Sequence, residues 1–150
     1  YLSRSFNHTG PRQRDNFVCS AFAKQIAYAE AGIMEPEMKV GNLTARRDFT
    51  DVRDVVRAYQ AILEQGASGE PYNVCSGSAV SIDRILKILL SHSSIDFRIT
   101  IDSERYRPVD VPVLSGSAEK LKQETGWQQR YNLETTLRDL LDYWRAKLIQ

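Results

Sequence analysis

Apolar positions along this chain follow two periods in turn, a spacing of two and a spacing of three to four, as strands alternating with helices do. Residues 1–6 read as a short strand with no turn or cap ahead of it. Asp15 is placed to cap a first helix whose Phe17, Val18, Phe22 and Ile26 share one face, and Gly32 stops it. Residues 38–41 form a strand candidate. Asp51 caps a second helix, with Val52, Val55, Val56, Tyr59, Ile62 and Leu63 as its apolar stripe and Gly66 at its end. Residues 71–75 read as a strand entering the turn Ser76-Gly77-Ser78, and Ser81 caps a helix carrying Ile82, Ile85, Leu86 and Leu89. Residues 97–101 alternate as a strand, and 117–125 make a short helix ended by Gly126. The last helix has the stripe Leu133, Leu137, Leu140, Leu141, Trp144 and Leu148. Residues 106–114 hold two prolines and are expected to form an ordered loop. The class expected from this alternation is α/β.

Composition narrows the partners more than the fold. The 150 residues suit one domain, and 42% apolar with 26% charged residues is ordinary for a globular one. A net charge of +1 argues for neither a nucleic-acid nor a membrane partner. Cys19 and Cys75 lack a paired-motif spacing and read as small buried thiols in a reducing compartment. No secretory pattern stands at the start, so a cytoplasmic location is expected. The chain opens on Tyr1, inside a strand, and so reads as a piece of a longer protein.

Candidate chemistry is sparse. His8 and His92 are too few for a histidine-rich metal site. Gly66, Gly69 and Gly77 do not fit a dinucleotide fingerprint, so this stretch alone is expected to bind no nicotinamide cofactor. Tyr143 and Lys147 have the Tyr-x-x-x-Lys spacing of short-chain dehydrogenases, but on a strongly amphipathic final helix they read as packing or solvated residues. The positive signals are arginines beside loops: Arg46-Arg47-Asp48 after Gly41-Asn42-Leu43, and Arg107 beside Pro108 and Asp110. A guanidinium fork suits phosphate oxygens, and a carboxylate suits a ribose diol.

Five blocks in register resemble the extended short-chain dehydrogenase/reductase family. They are Arg4-Ser5-Phe6-Asn7-His8-Thr9-Gly10-Pro11; the stretch from Gly41-Asn42-Leu43 through Arg47-Asp48-Phe49 to Asp51 and Asp54; Tyr72-Asn73-Val74-Cys75-Ser76-Gly77; Arg107-Pro108-Val109-Asp110-Val111-Pro112; and Lys120-Leu121 to Gly126-Trp127. The wording is similar to the GDP-sugar branch of dehydratases and reductases. Asn7-His8-Thr9-Gly10-Pro11-Arg12-Gln13 departs from the dehydratases' N-H-E-S-P-R-R-G, which favours a reductase.

The resemblance implies the C-terminal substrate-binding part of such an enzyme: a mixed small sheet with helices, the cofactor-binding Rossmann half missing, and residues 1–6 with parts of 38–75 completing that half's sheet. It implies NAD or NADP in the full-length enzyme, a GDP-sugar substrate and a homodimer. The reaction implied is reduction of the C4 ketone of GDP-4-keto-6-deoxy-mannose. It assigns Asn7 to the sugar or diphosphate, Val40, Asn42 and Leu43 to the guanine, Arg47 to the diphosphate, Arg107 to phosphate or ribose and Asp110 to the ribose hydroxyls. Asp51 and Asp54 are expected to be structural, as helix cap and support of the neighbouring strand. A dehydratase, another nucleotide-sugar epimerase, and a non-catalytic binding or oligomerisation module are the alternatives.

Overall fold

A computed structural model describes residues 1–104 and 111–149. In chain order the elements are β1 (Leu2–Ser5), β2 (Asn7–Thr9), α1 (Val18–Glu30), β3 (Glu37–Val40), β4 (Arg46–Asp51), α2 (Val52–Gln65), β5 (Pro71–Val74), β6 (Ala79–Ser81), α3 (Ile82–Ser91), β7 (Arg98–Ile101), β8 (Val113–Leu114), α4 (Glu119–Thr125) and α5 (Leu133–Lys147). The class is α/β, as expected.

Three helices begin on a side-chain cap. Asp51 accepts from the Arg53 N–H, Ser81 from that of Arg84 and Asn132 from that of Thr135. Each satisfies a donor that the first helical turn leaves without a partner. Gly126 ends α4 at φ 68°, a left-handed conformation that glycine adopts without a Cβ clash.

The run of residues 2–9 changes neighbour at Phe6. β1 lies parallel to β5, with Arg4 opposite Asn73, and the Phe6 N–H extends that ladder to the Val74 carbonyl at 3.0 Å. β2 lies parallel to β4, with Asn7 opposite Phe49. β4 also takes β6 antiparallel and β8 parallel, while β3 and β7 form a separate parallel pair. One core packs α1, α3 and α5 on β3 and Phe49, and a second packs α2 and α4 with Trp127 on β5. Leu137, Leu140 and Leu141 of α5 are fully buried in the first, each stabilising by roughly 1.5–3 kcal/mol.

Several expectations are corrected. Asp15 does not cap α1: the helix starts three residues later, Phe17 occupies the cap position without a side-chain bond, and the Asp15 carboxylate takes the Lys24 ammonium at 2.6 Å instead. Phe17 is 52% exposed and lies outside the core. The α2 stripe splits. Val55, Ala58 and Ile62 face inward with the carboxylate of Asp54, whereas Val56, Tyr59 and Leu63 face out. Asp54 supports no strand; it accepts from the backbone N–H groups of Arg130 and Tyr131 and so holds the connector between α4 and α5. Within the expected loop at 106–114, Val113 and Leu114 pair with β4 as a strand; residues 105–110 lie outside those described.

The Tyr143 and Lys147 pair has structural partners. The Tyr143 ring meets Trp144 edge-on, and Lys147 Nζ lies 4.7 Å from the Trp144 ring centroid. Between them in sequence, Arg145 joins three helices. It donates to both Glu30 oxygens at the end of α1, each at 2.8 Å, and to the His92 carbonyl beyond α3 at 2.7 Å. That guanidinium, against the opposing effect of burial, brings the Glu30 pKa down from 4.5 to about 2. A depressed carboxylate stabilises the fold fully above its unfolded pKa and loses that contribution as pH falls through the folded value. Stability is therefore expected to drop by on the order of 2 kcal/mol between about pH 5 and pH 2 from this carboxylate, discounted for the partly exposed guanidinium. Urea titrations across that range check it, and Glu30→Gln is expected to flatten the dependence.

Candidate functional site

At the carboxyl ends of β1 and β2, where the run 2–9 exchanges β5 for β4, a cleft of about 1200 Å³ opens. Crevices at such switch points, beyond the carboxyl ends of parallel strands, are where α/β sheets bind ligands. Its floor includes Phe6, Phe49 and Leu114, and its rim is the loop between β2 and α1.

The loop geometry follows from tight packing. Gly10 has φ 152°, and a Cβ there would meet Val52 Cγ1 at 2.8 Å, so only glycine fits between β2 and the start of α2. Arg12 follows at φ 74°. The loop then enters α1, whose first turn carries no side-chain cap and no acidic residue. The N–H groups and positive dipole end of that turn stay available to an anion.

Arg4, Arg12 and Arg14 all line this cleft, and among the described residues none of them has a carboxylate partner. Three guanidiniums and a helix N-terminus around one cavity suit a polyanionic ligand such as a diphosphate. Cys19 lies in the same wall, but burial pushes its thiol up to about 12, and Cys75 is raised likewise to about 11, so neither is a nucleophile. Among the described residues no cluster of His, Cys, Asp or Glu could hold a metal ion, and no helix is long and apolar enough to cross a membrane.

The residues singled out in the sequence are placed as follows. Asn7 lines the cleft, opposite Phe49 in register. Arg47 sits two residues before Phe49 on β4, hence on the same face of the strand, and pairs in register with Leu114. Its Nη1 donates to the Arg46 carbonyl, and no carboxylate is bonded to it among the described residues. Val40, Asn42 and Leu43 are not part of the cleft wall. The Val40 side chain is in the core and its carbonyl accepts from the Asp102 N–H at 2.8 Å. Asn42 Oδ1 accepts from the Thr44 N–H and hydroxyl, and the Leu43 carbonyl from the Asp83 N–H. Arg107 and Asp110 lie outside the described residues. Sequence reasoning missed Arg4, Arg12 and Arg14. The signal available was three arginines within eleven residues around Asn7 with only Asp15 near them.

Asp48 ties these parts together. Its fully buried carboxylate accepts from the Ser76 N–H and hydroxyl, each at 2.7 Å, from the Gly77 N–H at 2.9 Å and from the Gly116 N–H at 3.5 Å. Gly116 in turn lies against the Phe6 ring so closely that a Cβ would come within 2.5 Å of it.

The comparisons with known proteins agree with this architecture. The profile of the family described as GDP-mannose 4,6 dehydratase matches residues 1–140. GDP-6-deoxy-D-mannose reductase of Pseudomonas aeruginosa is 35% identical over 147 residues, covering 98% of this chain and 48% of that protein. GDP-mannose 4,6 dehydratase 2 of Arabidopsis thaliana is 27% identical, covering 91% of this chain and 37% of that protein. The chain thus spans half or less of the length of these relatives. Among solved structures, RMD from Pseudomonas aeruginosa complexed with NADPH superposes with a TM-score of 0.90 at 34% identity, over 97% of this chain and 47% of that one. UDP-glucose 4-epimerase of Thermotoga maritima with UDP-glucose superposes at 0.84 and 26% identity, over 97% of this chain and 46% of that one. With matched residues running from the first strand into the last helix, and the same fold in a nicotinamide-bound neighbour, the chain belongs to the GDP-mannose 4,6 dehydratase family of extended short-chain dehydrogenases/reductases.

Proposed function

We propose that this chain is the nucleotide-sugar-binding part of an NAD(P)-dependent reductase acting on a GDP-4-keto-6-deoxy-hexose. The observation that carries the reading is the cleft at the β1–β2 switch, where Arg4, Arg12 and Arg14 meet the uncapped start of α1 without a neutralising carboxylate. A diphosphate supplies the missing negative charge. Asn7 lines the same cleft and is assigned to the sugar or diphosphate; Arg47, two residues from the cleft's Phe49 on β4, is assigned to the diphosphate. Arg107 is assigned to phosphate or ribose and Asp110 to the ribose hydroxyls.

The nicotinamide cofactor, NAD or NADP, supplies the hydride in such an enzyme. Two strand-to-helix junctions, β4 into α2 through Asp51 and β6 into α3 through Ser81, offer no glycine cradle for its pyrophosphate. The part played by this chain is therefore to bind and orient the nucleotide, so that binding energy from the GDP positions the reacting sugar. β1 and β5, a parallel pair covered by α2 and α4, are assigned to the sheet of a cofactor-binding half, for which a protein about twice this length, as the reductase relative is, has room. A cytoplasmic homodimer completes the reading. The dehydratase reading stays second, because the matching family profile carries that description.

GDP titrated into the protein by calorimetry tests this. A charge-assisted bond is worth about 1.5–3 kcal/mol, so Arg47→Ala and Arg107→Ala are each expected to weaken GDP binding about 10- to 150-fold. Lysine at either position is expected to restore only part, because it lacks the planar fork. Arg138→Ala, an exposed position on α5, is the control. Unchanged affinity in both variants overturns the assignment.

A further inference from the structure

We infer that Gln13, braced by Thr9, is a positioning residue that presets Arg12 for the diphosphate of the bound nucleotide; this rests on the function proposed above. All four polar atoms of Gln13 are engaged within the protein. Its Nε2 donates to the His8 carbonyl at 2.8 Å, and its Oε1 accepts from Thr9 Oγ1 at 2.7 Å. Its backbone N–H reaches the Gly10 carbonyl at 3.2 Å, and its own carbonyl accepts from Ser20 Oγ at 2.7 Å. Ser20 Oγ is itself held by the indole N–H of Trp144 at 2.8 Å. Thr9, Ser20 and Trp144 are buried at 1%, 0% and 4% exposure, so the bracing runs from the loop into the first core.

The residues on either side of Gln13 contrast with it. Arg12 and Arg14 line the cleft, are exposed, and carry no ion pair among the described residues. Arg12 is also the one non-glycine residue with positive φ among those described. A side chain is held in that conformation only where its surroundings over-determine it, and such strain gathers at binding and catalytic positions. The bonds of Gln13 to β2 and α1 supply that constraint one residue away. They turn the Arg12 guanidinium toward the cleft before a ligand arrives, which removes an ordering cost from binding. A loop clamped only for stability has no need to hold two unpaired arginines at a cavity.

The test is a thermodynamic cycle on GDP affinity, read by calorimetry, with the parent, Arg12→Ala, Gln13→Met and the double variant. Thr9→Val, which deletes one bond of the clamp and keeps its shape, is the milder companion should Gln13→Met unfold. Arg12→Ala is expected to weaken GDP binding about tenfold. Gln13→Met and Thr9→Val are expected to weaken it severalfold, and the double variant to bind no worse than Arg12→Ala alone, because the clamp acts through that arginine. Losses that multiply in the double variant overturn the proposal, as does parental affinity in Gln13→Met and Thr9→Val while Arg12→Ala is weakened. If the parent itself binds no GDP, the nucleotide reading falls and this inference with it.

Discussion

Asp48→Ala is expected to destabilise the protein by about 2–4 kcal/mol, measured as a shift of the urea midpoint at unchanged slope. The carboxylate is fully buried, yet among the described residues no guanidinium or ammonium is bonded to it. It is held by the hydroxyl of Ser76 and by the backbone N–H groups of Ser76, Gly77 and, more weakly, Gly116. Removing it leaves those donors without their acceptor at the junction of β4, the β5–β6 turn and the segment after β8. Asp48→Asn keeps the volume but turns an amide N–H₂ toward at least one backbone donor, so it is expected to recover less than half of the loss. The damage reaches the cleft as well. Gly116 packs on Phe6, and Leu114, two residues earlier, forms part of the floor.

Asp54→Ala is expected to cost about 3–5 kcal/mol, the range for breaking a buried ion pair. Asp54 pairs with Arg57 one turn along α2 and accepts from the N–H groups of Arg130 and Tyr131, while its backbone carbonyl accepts from the Trp127 indole at 3.0 Å. One aspartate therefore fastens the whole connector between α4 and α5 to α2. With the side chain gone, the connector's donors lose their partner and Arg57 loses its counter-charge. Trp127 is 3% exposed, so release of the connector is expected to shift its fluorescence to the red before global unfolding. A variant with parental stability and an unshifted emission maximum contradicts this account.

The parts of the fold legible in the sequence are those set by neighbours three or four residues apart. The α3 stripe of Ile82, Ile85, Leu86 and Leu89 is buried as its period requires, and Ser81 caps it. Asp51 caps α2, Gly126 ends α4, and the α5 stripe faces the core. The caps and the glycine stop are local contacts, and the stripes follow the helix period whatever they pack against, so residue type and spacing suffice. Of the residues singled out in the sequence, Asn7 lines the cleft, and Arg47 lies on β4 two residues from Phe49 of its wall.

What tertiary structure decided involves residues competing for distant partners. Asp15 had the chemistry of a cap, but Lys24, nine residues on, took its carboxylate, and α1 began at Val18 uncapped. Val56, Tyr59 and Leu63 had the period of a buried stripe. The inward face of α2 instead carries Asp54, whose backbone partners at Arg130 and Tyr131 lie more than seventy residues away. The arginine cleft exists because Phe6 marks a change of strand partner from β5 to β4, and because Gln13 is braced through Ser20 by a tryptophan in the last helix. Periodicity reports which side of an element is apolar; it carries no record of which long-range hydrogen bond a polar side chain will choose, and here those choices shape the site.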